Sequence, residues 1–301
     1  MAPATTGHAH MTKRIGFIGA GMMGSGICKS LLRGGYPVTV IAHRNRAPIE
    51  ELVKLGAQEA KSTTELAAGA DVIMLCVDRA ETVETLMAGF EGGLRSGQYV
   101  IDITTGKPDT STKLAAGLKA KGVTYVDAPV TGAPVHAATG QLASMVGADP
   151  AVFEAIKPVL DAYSAQALLF GPTGAGITAK LLNNFVTQSS CQIIMQAYRA
   201  ARRHGVDWEK LYNIMLKGAA RSGSLERIIS AALQGNYKGQ QFSISNACKD
   251  IDYAGALVAA DPDGARIQAA ILGALQRPVK AGLGDRFVSE MLDPDVERRA
   301  S

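Results

Sequence analysis

The chain has 301 residues, a net charge of +4, 47% hydrophobic residues and 19% charged residues. That length suits two domains, and the apolar content supports packed cores and excludes disorder. No run of five like charges and no basic stripe interleaved with aromatics occurs, so no nucleic-acid partner is expected.

The segment Met1–Thr12 lacks the apolar stretch of a secretory signal and reads as a flexible tail. Strands and helices then alternate. Arg14–Ile18 reads as a strand, followed by a glycine turn and a helix over about Gly24–Arg33. Further strands are predicted at Pro37–Ile41, Asp71–Val77, Tyr99–Ile103, Thr124–Val126, Ala143–Val146 and Ala167–Phe170. Helical patterns lie between them at Ala47–Leu55, Ala80–Phe90, Thr110–Lys121 and Ala151–Tyr163. Such alternation predicts an α/β domain with a doubly wound parallel sheet.

The pattern changes at Gly171–Gly176. One long helix is predicted from Ile177 to about His204, stopped by Gly205. Only helical patterns follow: Trp208–Leu216, Leu225–Leu233, Ile244–Ala260 and Ala265–Ala281. The expected organisation is a tail over 1–12, a dinucleotide-binding domain over 13–172 and an all-helical domain over 173–301, joined by the long helix.

The longest charge-free stretch, Leu181–Tyr198, contains Asn183, Asn184, Thr187, Gln188, Ser189, Ser190, Gln192 and Gln196. Hydrocarbon would penalise those groups, so no membrane span is expected. Cys28, Cys76, Cys191 and Cys248 are far apart and form no CxxC pair. They read as buried thiols in a reducing compartment, with the cytoplasm as the default location and no metal site.

The first strand runs directly into Gly19-Ala20-Gly21-Met22-Met23-Gly24, a GxGxxG pattern that opens a helix. Gly19 allows the tight turn, Gly21 lets the backbone approach a pyrophosphate, and Gly24 lets the helix pack against the sheet. The helix N-terminus supplies N–H donors for phosphates. A dinucleotide is therefore the expected cofactor. The second strand ends in Ala42-His43-Arg44-Asn45-Arg46, where NAD enzymes usually carry an acid for the ribose hydroxyl. An arginine at 44 or 46 suits a 2′-phosphate, which predicts NADP with NAD as the alternative. The competing reading is two arginines on a solvated loop. Val77 and Thr105 sit in later loops on the same edge; Thr105 either lies against the nicotinamide or caps the next helix.

In the long helix, Lys180 and Asn184 are four residues apart and share a face. Burial would lower a lysine's pKa toward the range that suits a general acid/base. The plainer reading is a lysine whose ammonium reaches solvent. A second constellation runs Asp127-Ala-Pro-Val-Thr131-Gly132-Ala133-Pro134-Val135-His136. There Thr131 offers a hydroxyl, and the N–H groups of Gly132 and Ala133 can cradle a carboxylate. Lys249-Asp250 forms a third, with an exposed helix-surface ion pair as its bland reading.

These motifs occur in order: Gly-Phe-Ile-Gly-Ala-Gly-Met-Met-Gly at 16–24, Asp-Ala-Pro-Val-Thr-Gly at 127–132, Gly-x-x-Gly-x-Gly-x-x-x-Lys-x-x-Asn-Asn at 171–184, and Lys-Asp at 249–250. Together they resemble the β-hydroxyacid dehydrogenase family, which takes in 3-hydroxyisobutyrate dehydrogenase and the tartronate semialdehyde, succinic semialdehyde and glyoxylate reductases. The resemblance covers nearly all of residues 13–295. It implies a Rossmann domain, a helical domain that mediates homodimers or homotetramers, and an active site in the cleft between them. It further implies hydride transfer between NAD(P) and a small hydroxy acid or aldehyde acid. Lys180 would be the acid/base, Asn184 would orient the substrate, Thr131 and Gly132 would bind its carboxylate, and Lys249 would close over the cofactor. Thr131 and Ala133 replace the family's usual serine and second glycine, and Pro134 and His136 alter the neighbouring pocket. The rival readings are an imine reductase of the same architecture and a non-catalytic NADP-binding module; Lys180 favours alcohol and aldehyde chemistry over imines.

Overall fold

The computed structural model describes residues 12–43, 45–90 and 92–299. They divide into two compact units, one ending at Ile177 and one beginning at Thr178.

The first unit is built on a sheet that starts with β1 (Ile15–Ile18) and is followed by helix α1 (Met22–Arg33). The chain continues through β2 (Val38–Val40), α2 (Ala47–Lys54), β3 (Gln58–Glu59), α3 (Thr63–Gly69), β4 (Val72–Leu75) and α4 (Ala80–Gly89). Next come β5 (Tyr99–Asp102), α5 (Pro108–Lys119), β6 (Thr124–Asp127), β7 (Val130–Thr131) and α6 (Pro134–Thr139). β8 (Leu142–Gly147), α7 (Pro150–Asp161) and β9 (Ser164–Gly171) complete the sheet.

The strand order is β3-β2-β1-β4-β5-β6-β8-β7, with β9 also paired to β8. The pairs from β3 to β6 are all parallel. β1 and β4 are buried along their whole length, as expected of strands covered on both faces. The expected parallel sheet is thus present, with one difference. β8 runs antiparallel to β6 and β7, and β9 runs parallel to β8. Alternating hydrophobicity does not encode strand direction. Here the short α6 hairpin connection returns the chain beside the strand it left, which requires an antiparallel pair.

Several short elements fall outside the strands and helices predicted from the sequence. α3 carries its signal in Ser62 and Glu65: Ser62 Oγ accepts from Glu65 N–H at 3.1 Å, and Glu65 Oε2 accepts from Lys61 N–H at 2.9 Å. α6 begins at Pro134, a residue suited to the first helical position. Its six residues are too few for a periodic pattern.

In the second unit every described regular element is helical. The long α8 (Ala175–Arg203) begins in the first unit and continues into the second. It is followed by α9 (Trp208–Met215), α10 (Gly223–Ala232), α11 (Ile244–Val258) and α12 (Pro262–Lys280). A 3-10 turn at Val288–Leu292 and α13 (Pro294–Arg299) close the described chain. Cys191, Met195 and Tyr198 of α8 pack with Leu225, Ile251 and Leu275 in this unit's own core. Asp207, Ser222 and Ser243 each cap a helix by accepting a backbone N–H. No helix among the described residues is long and apolar enough to cross a membrane.

Candidate active site

In the first unit, the loop between β1 and α1 has the shape a pyrophosphate needs. Gly19 sits at φ +99°, and a Cβ there would stand 2.1 Å from the Cys76 carbonyl oxygen. A Cβ on Gly24 would stand 2.0 Å from the Gly19 carbonyl oxygen. Both positions therefore demand glycine. Gly21 faces open space, so the backbone at the head of α1 is accessible to a phosphate. Gly19, Ala20, Gly21 and Val77 line a cavity of about 400 Å³ with Ala42 and Asn45. Met23 packs on the core, whereas Met22 is exposed at the helix start.

One expected cofactor contact looks different in the structure. Arg46 is exposed and its guanidinium is doubly bonded to Glu59, at 3.1 Å from each oxygen, with Glu50 at 3.7 Å. The cation proposed for a 2′-phosphate is thus already held by a carboxylate on β3. Arg44, the other expected phosphate ligand, lies outside the described residues. Asn45 lines the cavity, and its Oδ1 accepts from Ala47 N–H at 3.2 Å.

Thr105 is half-buried in the loop after β5, and Lys107 rather than Thr105 occupies the N-cap of α5. Its neighbour Thr104, which the sequence did not single out, is buried and ties two loops together: Oγ1 accepts from Val77 N–H at 3.1 Å. Below it, Asp102 accepts from Thr104 N–H at 2.9 Å and from the Tyr125 hydroxyl at 2.6 Å. Burial raises the Asp102 pKa from its ordinary 3.8 to about 6, against these two hydrogen bonds. A carboxyl whose folded pKa lies above its unfolded value stabilises the fold most at low pH, and that contribution is lost as pH rises through 6. Relative to Asp102→Asn, wild type should lose about 2.4 kcal/mol of stability between pH 4 and pH 7. Parallel denaturation curves for the two proteins across that range check this; a constant difference would contradict it.

Asp127, at the end of β6, is fully buried. Its Oδ1 accepts from Gly174 N–H at 2.6 Å and its Oδ2 from Ile177 N–H at 2.8 Å. The carboxylate is therefore spent on the start of α8 and is not a substrate ligand. In the adjoining loop, Thr131 pairs with Ala143 across β7 and β8, and Gly132 turns the chain at φ +137°. The Ala133 N–H donates to His136 Nδ1 at 2.9 Å. This corrects the expected cradle: the histidine side chain takes Ala133's donor as half of a capping box for α6. Thr131 Oγ1 and Gly132 N–H remain as the donors on that loop.

In the second unit, Lys180, Asn184, Lys249 and Asp250 come together. Lys180 is 9% exposed and Asn184 5% exposed, so the lysine is buried on its helix and does not snorkel. Asn184 Nδ2 donates to Asp250 Oδ2 at 2.6 Å, and Asn183 Nδ2 donates to Asn184 Oδ1 at 3.1 Å. Lys249 Nζ stands 3.1 Å from Asp250 Oδ1 and 5.4 Å from the Tyr253 ring centre. The Lys249–Asp250 pair is therefore no solvated surface bridge, because Asp250 is 1% exposed. Burial lowers the Lys180 pKa below its ordinary 10.5; Asp250 opposes that shift and Lys249 adds to it.

Residues 14–171 match the family model of the NAD binding domain of 6-phosphogluconate dehydrogenase. Residues 174–293 match that of the NAD-binding domain of NADP-dependent 3-hydroxyisobutyrate dehydrogenase. The chain belongs to the β-hydroxyacid dehydrogenase family. As a β-hydroxyacid dehydrogenase it is an NAD(P)-dependent oxidoreductase. It is 34% identical over 246 residues to the 2-(hydroxymethyl)glutarate dehydrogenase of Eubacterium barkeri, covering 80% of this chain and 81% of the relative. It is 30% identical over 216 residues to the 2-hydroxy-3-oxopropionate reductase of Escherichia coli, covering 71% and 73%. The 3-hydroxyisobutyrate dehydrogenase of Mycobacterium tuberculosis, solved with L-serine, has the same fold. The TM-score is 0.84 at 24% identity, over 94% of this chain and 98% of that one.

Proposed function

We propose that this β-hydroxyacid dehydrogenase interconverts a small β-hydroxy acid and its aldehyde acid, with Lys180 as the general acid/base and NADP as the preferred cofactor. The observation that carries the reading is a buried lysine held beside Asn184 and Asp250, with its pKa lowered. When bound, the reduced dinucleotide supplies a hydride to the carbonyl carbon.

The chain's own residues do the rest. Lys180 Nζ gives its proton to the substrate oxygen as that oxygen gains charge, and takes it back in the oxidative direction. A buried ammonium stabilises a developing alkoxide more than an exposed one would. Asn184 is oriented by Asp250, so its amide presents a fixed group to the substrate. Thr131 Oγ1 and Gly132 N–H are assigned to the substrate carboxylate, and Lys249 to the cofactor. A panel of β-hydroxy acids, aldehyde acids and cyclic imines, followed by nicotinamide absorbance, tests the class. Turnover of imines alone would overturn the reading, as would nucleotide binding with no turnover of any member.

The preference for NADP rests on Ala42, which lines the cavity where an acid would repel a 2′-phosphate. Glu59 opposes that preference by holding Arg46. Glu59→Gln should release the guanidinium and lower the KM for NADP by about threefold or more, with little change for NAD. Equal changes for both cofactors, or a wild-type preference for NAD, would contradict the assignment.

A further inference from the structure

The second unit holds another polar cavity, at the far end of α8. It has a volume of about 200 Å³ and is lined by Gln196, Arg199, Ala274, Arg277, Met291 and Glu297. That is well above the roughly 10–15 Å³ that admits one water. Arg199 lies 19 residues after Lys180, about 28 Å along the helix at 1.5 Å per residue, so the cavity is separate from the lysine cluster.

Arg199 is only 9% exposed, an unusual place for a guanidinium. Its Nη2 donates to the Met291 carbonyl oxygen. Its Nε stands 3.4 Å from Glu297 Oε1 and has no hydrogen-bond partner among the described residues. A buried charged donor without a partner is costly, and such groups in folded proteins usually have one. Arg202 is differently placed: it bonds Glu297 Oε2 at 3.2 Å and the Leu292 carbonyl at 2.7 Å, and stacks on Trp208 at 5.0 Å. Arg199 therefore feels three cations, Arg202, Arg277 and Arg203, and one carboxylate, Glu297. The described residues lining the cavity bring two guanidinium groups and one carboxylate around a space large enough for an ion.

We propose that this cavity binds a small, doubly charged oxyanion of the phosphate class, held by Arg199 from α8 and Arg277 from α12. Guanidinium groups arriving from two helices suit an acceptor with oxygens on several sides. Glu297 competes with the anion for Arg199, so it sets the affinity downward. The bound ion links α8 and α12, and so raises the stability of the helical unit by mass action.

The test is calorimetric titration of the full chain with inorganic phosphate, paired with thermal melts, at constant ionic strength in a buffer without phosphate. Malonate is the dicarboxylate arm and chloride the salt control. Wild type is expected to bind one phosphate per chain saturably and to melt higher with it. Arg277→Gln should weaken binding about tenfold, the worth of one charge-assisted contact. Glu297→Gln should tighten it, and the opposite signs separate a site from general destabilisation. Saturable binding of malonate rather than phosphate, with the same variant pattern, would overturn the phosphate assignment in favour of a dicarboxylate. No saturable binding, binding unchanged in Arg277→Gln, or an equal rise in melting temperature with chloride would overturn the site itself.

Discussion

Lys180→Ala is expected to lower kcat by about 10³-fold or more, from loss of both the proton donor and the positive charge at the substrate oxygen. NADP affinity should stay within about threefold, a change of under 1 kcal/mol, because the glycine loop that cradles it belongs to the other unit. Folding should survive. Asp250 keeps Asn184 and Lys249 as partners, and a buried charge with its desolvation cost is removed. In wild type, the limb of the kcat/KM profile set by lysine deprotonation should lie below 10.5, the direction in which burial drives Lys180. That limb should vanish from whatever activity the variant keeps. An alanine variant with near-normal kcat would remove Lys180 from the chemistry.

Asp250→Ala is the second large effect. Among the described residues, Asp250 is the acid that supports the charged form of Lys180, and it also holds Asn184 and Lys249. Its removal takes a carboxylate away from the neighbouring cations Lys180 and Lys249, and an acceptor away from the Asn184 amide. Breaking a buried charge network in this way costs about 3–5 kcal/mol, which should appear as a melting temperature lower by several degrees. Asp250→Asn separates folding from function. It keeps an acceptor for Asn184 but takes away the charge that supports the Lys180 ammonium, so the lysine limb should move further down in pH. Unchanged stability in Asp250→Ala, together with an unmoved limb in Asp250→Asn, would show that the carboxylate does not govern this cluster.

What the sequence disclosed follows from how local each signal is. The β1 strand, the GxGxxG turn and α1 are contiguous, so their chemistry can be read directly from residues 15–33. Lys180 and Asn184 share a helix face by spacing alone. The antiparallel course of β8 was not legible, because alternation reports burial and not direction. Nor was the fate of Arg46: its partner Glu59 sits on a two-residue strand, too short to carry a pattern. Asp127 looked like part of a substrate loop, yet its partners Gly174 and Ile177 are 47 and 50 residues away. The Lys-Asp dipeptide carried an exposed ion pair as its bland reading, because two adjacent residues do not reveal which face of a helix packs. Only the packing of α11 buries Asp250 while leaving Lys249 partly exposed. His136 is the most instructive case. Its ring takes the N–H of Ala133, three residues back, and so removes one of the donors that backbone spacing had offered to a carboxylate.

The most direct measurement is chemical rescue of the alanine variant at position 180 by small primary amines, read as hydride transfer in a single turnover with NADPH and an aldehyde acid. Rates should rise with amine concentration, saturate, and increase from weaker to stronger amine acids at matched size, while wild type stays indifferent. Rescue that tracks ionic strength instead of amine acidity, or an alanine variant whose single-turnover rate already equals that of wild type, would contradict proton transfer by Lys180.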